Sequence, residues 1–439
     1  MAPLAAWAEQ QYRRAAAGLL ECISPVHLIK LRPGFAQRIV PACGAVLASP
    51  VPAAYDPDPD YFFHWYRDSA IVMDALRLLF EDGLLGPEAL GSFADFVRFS
   101  ASLLQLHGRT LLKDARWRAR IEPELMQYVR GEAELREVHG EAVLSETRVN
   151  PDGTLDILRW ARPQHDGPAM RALVLLRWER AAAADAELCA ALASLLRGDL
   201  DYTARHAREP CFDIWEEESG LHYYTLCVSA AALAKGAEWI AGRGAYTLAH
   251  AWRAEARSLL RQLDGYWLEQ EGYYRSRVLA SGARSGKELD ISVLLAVLHA
   301  GLEGGHSVSD PKVHATLARL AALFEAEYAI NRDRPPGRAA ALGRYAGDVY
   351  YSGGAYYFAT LAAAELCYRA AASGAGPALC ARGDGFLETV RAFTPDSGDL
   401  SEQFDRTTGV QTSAKHLAWS YAAFISCAQA RRAAVSCAL

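Results

Sequence analysis

The chain has 439 residues, of which 51% are hydrophobic and 22% charged, and its net charge is −6. That balance suits a soluble globular protein able to bury a large core. Without a Lys/Arg block or a basic-aromatic stripe it argues against a nucleic-acid partner, and without a long apolar run against a transmembrane helix.

The N-terminal stretch MAPLAAWAEQQYRRAAAGLLE has neither the basic start nor the uninterrupted apolar run of a secretory signal. Asn150 and Asn331 both lack the N-x-S/T glycosylation pattern. A cytoplasmic protein is therefore expected, with a removed upstream leader as the alternative. The nine cysteines are odd in number and form no CxxC spacing. Buried reduced thiols are expected, rather than a zinc site or a disulfide framework.

Further along, six aromatic and polar motifs are each followed at once by an apolar helix. In order they are YFFHWYRDS (61–69), RPQHDGP (162–168), WEEESG (215–220), KELDIS (287–292), GRYAGDVYYSGG (343–354) and SEQFDRTTGVQTS (401–413). Pro168 suits a first helical position, and Asp68, Asp290 and Ser413 are candidate caps. The helices after the motifs are apolar nearly all round, which predicts burial on every side. Amphipathic stretches such as HAWRAEARSLLRQL and KVHATLARLAALFEA lie between them. Six buried helices alternating with outer ones predict an all-α fold, a six-fold α/α barrel made of a double ring of about twelve helices. No linker or low-complexity tract divides the chain, so one domain over 1–439 is expected. The six motifs would then meet at one end of the barrel.

Their residue types fit a sugar site. Tyr61, Trp65, Trp160, Trp215, Tyr350 and Tyr356 offer flat surfaces for pyranose rings. Arg67, Asp68, Arg162, Asp166, Arg344 and Asp348 offer charged hydrogen bonders. Carboxyl candidates are Glu216, Glu217, Glu218 and Glu402. Taken singly, each has a plainer reading. The three glutamates could be a solvated charge run, Arg67 and Asp68 an ordinary cap and ion pair, Trp160 core, and Glu402 surface.

Taken together and in order, the motifs resemble the catalytic domain of glucoamylases, glycoside hydrolase family 15. The similarity runs from about Ala48 to Ala423 and includes YFFHWYRDSAIV, FDIWEEESGLHYYT, RSGKELDISVLL, LGRYAGDVYYSGG and LSEQFDRTTGVQTS. The resemblance implies the same α/α barrel. It implies Glu216 as general acid and Glu402 as general base. It implies Arg67, Asp68 and Arg344, with backbone at Ile214 and Trp215, as holders of a terminal glucose. Glu217, Trp160 and Asp213 match groups around the leaving sugar and the acid, and Tyr61 and Gln403 match groups near the attacking water. Trp65, Arg162, Asp348, Tyr350 and Trp419 match residues that line or support the pocket. No metal or organic cofactor is implied.

Such a pair of carboxyls defines an inverting glycosidase, with one protonating the leaving oxygen and the other activating water across about 6.5–9.5 Å. The acid's role calls for a raised pKa, toward which burial and the neighbours Glu217 and Asp213 would push Glu216. The expected substrate is an α-glucan or malto-oligosaccharide. The alternatives are α-1,6 glucosides or trehalose by the same mechanism, or a catalytically silent sugar-binding barrel. Tyr356, Tyr66 and Ala161 depart from residues common in fungal members and leave linkage and chain-length preference open.

Overall fold

The computed structural model describes residues 3–55, 57–114 and 116–437. The two ends of the expected 1–439 unit, and Asp56 within the first matching stretch, lie outside the described residues.

Twelve helices of nine residues or more occur among the described residues. In chain order they are α1 (Leu4–Leu20), α2 (Tyr66–Glu81), α3 (Glu88–Leu103), α4 (Asp166–Ala182), α5 (Ala186–His206), α6 (Tyr223–Ala241), α7 (Tyr246–Asp264), α8 (Ser292–Ala300), α9 (Pro311–Glu327), α10 (Tyr357–Ala370), α11 (Pro377–Phe393) and α12 (Ala418–Cys437). The even-numbered helices form the inner ring. Each packs on the next, and α12 packs back on α2, so the ring closes. Odd-numbered helices cover it from outside, with α1 on α12, α5 on α4, α7 on α6 and α11 on α10. This is the α/α barrel that the motif pattern predicts.

Burial follows the sequence pattern. In α6 and α10 nearly every residue is buried, which an all-apolar helix requires. In the outer α7 the buried residues are Ala249, Trp252, Ala256, Leu259 and Leu263, one stripe at helical spacing. Asp185 caps α5, accepting from Leu188 N, and Asp310 caps α9, accepting from Lys312 N.

The inner helices start differently from expectation. Two- to four-residue strands run straight into three of them. His64–Trp65 leads into α2, Ser219–His222 into α6 and Ala355–Tyr356 into α10. Their N-cap positions, Trp65, His222 and Tyr356, are extended backbone without a side-chain cap. Asp68 therefore sits inside the first turn of α2 and caps nothing. Pro168 is the third residue of α4, not the first. Ser413 lies well before α12 and turns its hydroxyl elsewhere. Asp290 comes nearest to its expected role: it precedes Ile291, the N-cap of α8, by one residue and accepts from Ser292 N at 2.7 Å.

The same short strands stitch the motif loops together. His64–Trp65 pairs with Arg148–Val149, Ser219–His222 with both Cys211–Phe212 and Arg277–Leu279, and Ala355–Tyr356 with Gln403–Phe404. The long excursion between α3 and α4 adds a small core of Phe63, Trp65, Ile121, Val129, Ile157 and Leu158 that backs one wall. No helix among the described residues is long and apolar enough to cross a membrane. All nine cysteines are unpaired thiols; five are buried, Cys189 and Cys380 are half-buried, and Cys43 and Cys437 are exposed, so the expectation of buried thiols holds in full for only five.

Candidate active site

A cavity of about 240 Å³ opens where the motif loops converge. It is lined by Tyr61, Trp65, Arg67, Asp68, Trp160, Ile214, Trp215, Glu216, Glu217, Arg344, Tyr350, Glu402 and Trp419, together with Ala48, Phe358 and Leu417. Phe358 and Trp419 stack at 4.5 Å with planes 10° apart and form the floor. A separate cavity of about 40 Å³ lies beyond them.

Glu216 enters from the loop between the strands at 211–212 and 219–222. Its Oε1 accepts the Trp65 indole N–H at 2.8 Å and lies 3.5 Å from Arg67 Nη2, and its Oε2 accepts the Trp160 indole N–H. Trp160 stands at the rim, 37% exposed, with the Arg148 guanidinium 3.6 Å from its ring centre. The plainer core reading of Trp160 therefore fails. Glu216 itself has φ 66°, the left-handed region that non-glycine residues seldom occupy.

Glu402 is 8% exposed, so the surface reading fails for it too. Its carboxylate accepts the Tyr61 hydroxyl at 3.3 Å and the Ser413 hydroxyl. Tyr61 and Tyr350 share a hydrogen bond of 2.8 Å beside it. Burial pushes the Glu402 carboxyl up to about 7, while the Ser413 hydrogen bond and the Arg344 charge pull it down.

Arg67 donates to Asp166 at 3.0 Å and Gln164 at 3.2 Å. Burial opposes its charge, but Asp166, Asp68 and Glu216 hold its pKa above the ordinary arginine value. Burial pushes Asp68 up to about 6, with Arg67 acting against it and Glu216 for it. Asp68 Oδ2 lies 3.3 Å from Arg67 Nη2, yet it accepts no hydrogen bond from the described residues. Arg344 is clamped by Asp348 through two hydrogen bonds of 2.6 and 2.7 Å and reaches Glu217 at 3.1 Å. Trp215 donates its indole N–H to Asp290 at 2.9 Å.

Several sequence expectations change here. Arg162 does not line the cavity; it binds Glu146 and Asp156, and so braces the wall that carries Trp160. Gln403 is fully buried, donating to Tyr356 Oη at 2.8 Å and to Tyr350 O at 3.2 Å. Asp348, Asp166 and Asp213 stand behind the lining rather than in it. The two acids expected to press on Glu216 are matched by cations, Asp213 by Arg277 and Glu217 by Arg344 and Lys287. Glu218 turns to Arg277 and Ser285. Sequence reasoning missed Ala48, Phe358 and Leu417 in the lining. It also missed the roles of Tyr345 and Lys287, which lie inside the motifs, and of Arg277, which lies outside them, around the Glu216 loop, because a residue's type carries no signal of where its side chain points.

The model of glycosyl hydrolases family 15 matches residues 131–381 and 377–429. The chain is 26% identical over 425 residues to "Glucoamylase 1" of Rhizopus oryzae, covering 86% of this chain and 65% of that one. It is 32% identical over 320 residues to "Glucoamylase" of Neurospora crassa, covering 63% of this chain and 50% of that one. It thus spans about half to two-thirds of these relatives' length. The solved glycoside hydrolase family 15 glucoamylase of Hypocrea jecorina superposes with a TM-score of 0.79 at 26% identity, over 98% of this chain and 72% of that one. With a closed double ring, motif loops gathered at one end and a family match over more than half of its length, the chain belongs to glycosyl hydrolases family 15.

Proposed function

We propose that the protein hydrolyses α-glucans or malto-oligosaccharides from their non-reducing ends and releases β-glucose by inversion. The observation that carries this reading is the meeting of Glu216 and Glu402, far apart in sequence, in one cavity with a closed floor. Glu216 protonates the glycosidic oxygen as the C1–O bond breaks. Glu402 removes a proton from the water whose oxygen bonds to C1 from the opposite face, which inverts the anomeric centre. Tyr61 and Ser413 hold the Glu402 carboxylate for that water. Arg67, Asp68 and Arg344 bind the hydroxyls of the terminal ring, and the open Asp68 Oδ2 is an acceptor for one of them. A cavity of about 240 Å³ lies below the range of roughly 300–1,000 Å³ usual for drug-sized ligands, which favours a chain end over the middle of a chain.

Proton NMR of the anomers formed from maltose, maltoheptaose, isomaltose and trehalose tests the proposal. Early β-glucose from maltose and maltoheptaose is expected. Glu216→Gln and Glu402→Gln should each lower turnover by about 10²–10⁴-fold and leave sugar binding in place. Early β-glucose from isomaltose or trehalose alone would keep the mechanism and replace the substrate. Early α-glucose would overturn the roles of both glutamates, and no glucose from any substrate would favour a silent sugar-binding barrel.

A further inference from the structure

The strand Arg277–Leu279 belongs to none of the six motifs, yet it carries the side chain on which the Glu216 loop hangs. Arg277 is buried, and its guanidinium meets carboxylates from three places in the chain. Nη1 donates to Asp213 and, at 2.9 Å, to Glu218; Nη2 donates to Asp290. Each of these acids fixes part of the loop. Asp213 Oδ1 accepts the backbone N–H groups of Trp215 and Glu217 at 3.1 and 2.9 Å. Asp290 Oδ2 accepts the Trp215 indole N–H at 2.9 Å. Glu218 Oε2 accepts the Ser285 hydroxyl at 2.7 Å. Glu216 lies between the two amides that Asp213 holds, and its left-handed φ of 66° is a conformation that persists only where the surroundings over-determine it.

We infer that Arg277 is a positioning residue for the reaction: by holding Asp213, Glu218 and Asp290 together beneath the loop, it keeps the Glu216 carboxyl aimed at the glycosidic oxygen. Arg277 does not line the cavity. A lysine could reach one or two of the three carboxylates, but only a planar guanidinium offers donors in the fork that spans all three. The inference rests on the acid role proposed for Glu216, and its test separates the two.

The variants are Arg277→Met and the milder Glu218→Gln. Arg171→Met serves as control, because Arg171 is an equally buried guanidinium paired with Asp199 away from the cavity. Two substrates are compared, maltose and α-glucosyl fluoride. In the second, the C1–F bond breaks with fluoride leaving as an anion, water bonds to C1, and its proton goes to Glu402, so no acid is needed at the leaving atom. Arg277→Met should lose about 100-fold in kcat on maltose, the effect of a misplaced catalytic group, and less than about tenfold on the fluoride. Amide hydrogen exchange in residues 211–222 should accelerate in Arg277→Met but not in Arg171→Met. If Arg277→Met does not fold, Glu218→Gln carries the same comparison with a smaller loss in the same direction. Equal losses on both substrates, or unchanged exchange in that segment, would overturn the inference. A wild type that turns over neither substrate would refute the proposed function instead, and the exchange measurement would then decide the clamp alone.

Discussion

At the scale of single residues, the site depends on what each carboxylate is given as company. Burial raises Glu402 to about 7, and the Ser413 hydroxyl is the leading force in the other direction. On the proposed reading Glu402 is the general base, which works only when ionised, so kcat/KM should rise as pH climbs through about 7. Ser413→Ala removes a hydrogen bond that favours the carboxylate, and it should move that acidic limb upward by roughly half to one pH unit. A limb that stays in place in a kcat/KM profile would remove Ser413 from control of the base. Much at this scale is legible in the sequence, since the Glu216 and Glu402 motifs and the Arg67–Asp68 pair all reach the cavity. What is not legible is where a polar head points. Arg162 and Gln403 lie in the right segments, but Glu146, Asp156 and Tyr356 draw their side chains into the wall. Ser413 looks like a helix cap in sequence, and only a left-handed turn, φ 63°, delivers its hydroxyl to Glu402.

At the scale of elements, short strands decide how the motif loops meet. Gly220 shows how tight that joinery is. A Cβ on Gly220 would come 2.4 Å from Val278 O and 3.0 Å from Leu279 Cα, both backbone atoms of the partner strand. Gly220→Ala should therefore push the strand Ser219–His222 off Arg277–Leu279 and cost about 1–3 kcal/mol in thermal unfolding. Turnover should fall further than that loss of folded protein explains, because the two strands carry the Glu216 loop and Arg277. Normal turnover in a destabilised Gly220→Ala would show that the pairing supports only the fold. The inner helices are readable because an all-apolar stretch of ten or more residues has few other fates. The strands are not, because two to four residues give no alternation to detect. Missing them also misplaced the caps. Where extended backbone feeds directly into a helix, an aromatic or histidine occupies the N-cap and leaves the role of Asp68 to the cavity.

At the scale of the whole molecule, the ring is legible from the sixfold repetition of motif and helix, and its closure follows from the last inner helix meeting the first. The site, however, works against the fold that holds it. Glu402 titrates near 7 in the folded protein against about 4.5 in an unfolded chain. Its contribution to stability is fully present below about 4.5, where the carboxyl is neutral in both states, and is lost as pH rises through about 7, at a cost of about 3 kcal/mol. Glu402→Gln should then unfold at a higher temperature than the wild type at pH 8, with the difference vanishing at pH 4. A difference independent of pH would show that ionisation of Glu402 is not its source. The thiols, by contrast, contribute no cross-links, so thermal unfolding should be the same with and without a reductant.

For the proposed release of glucose from chain ends, the stacked Phe358 and Trp419 floor has a kinetic consequence. A cavity shut at the bottom lets nothing thread through, so the freed monosaccharide must back out by the way it came. The shortened chain has to let go before that happens. Attack on long chains is then distributive: a heptasaccharide pool should pass visibly through hexa- and pentasaccharide before much of it reaches maltose.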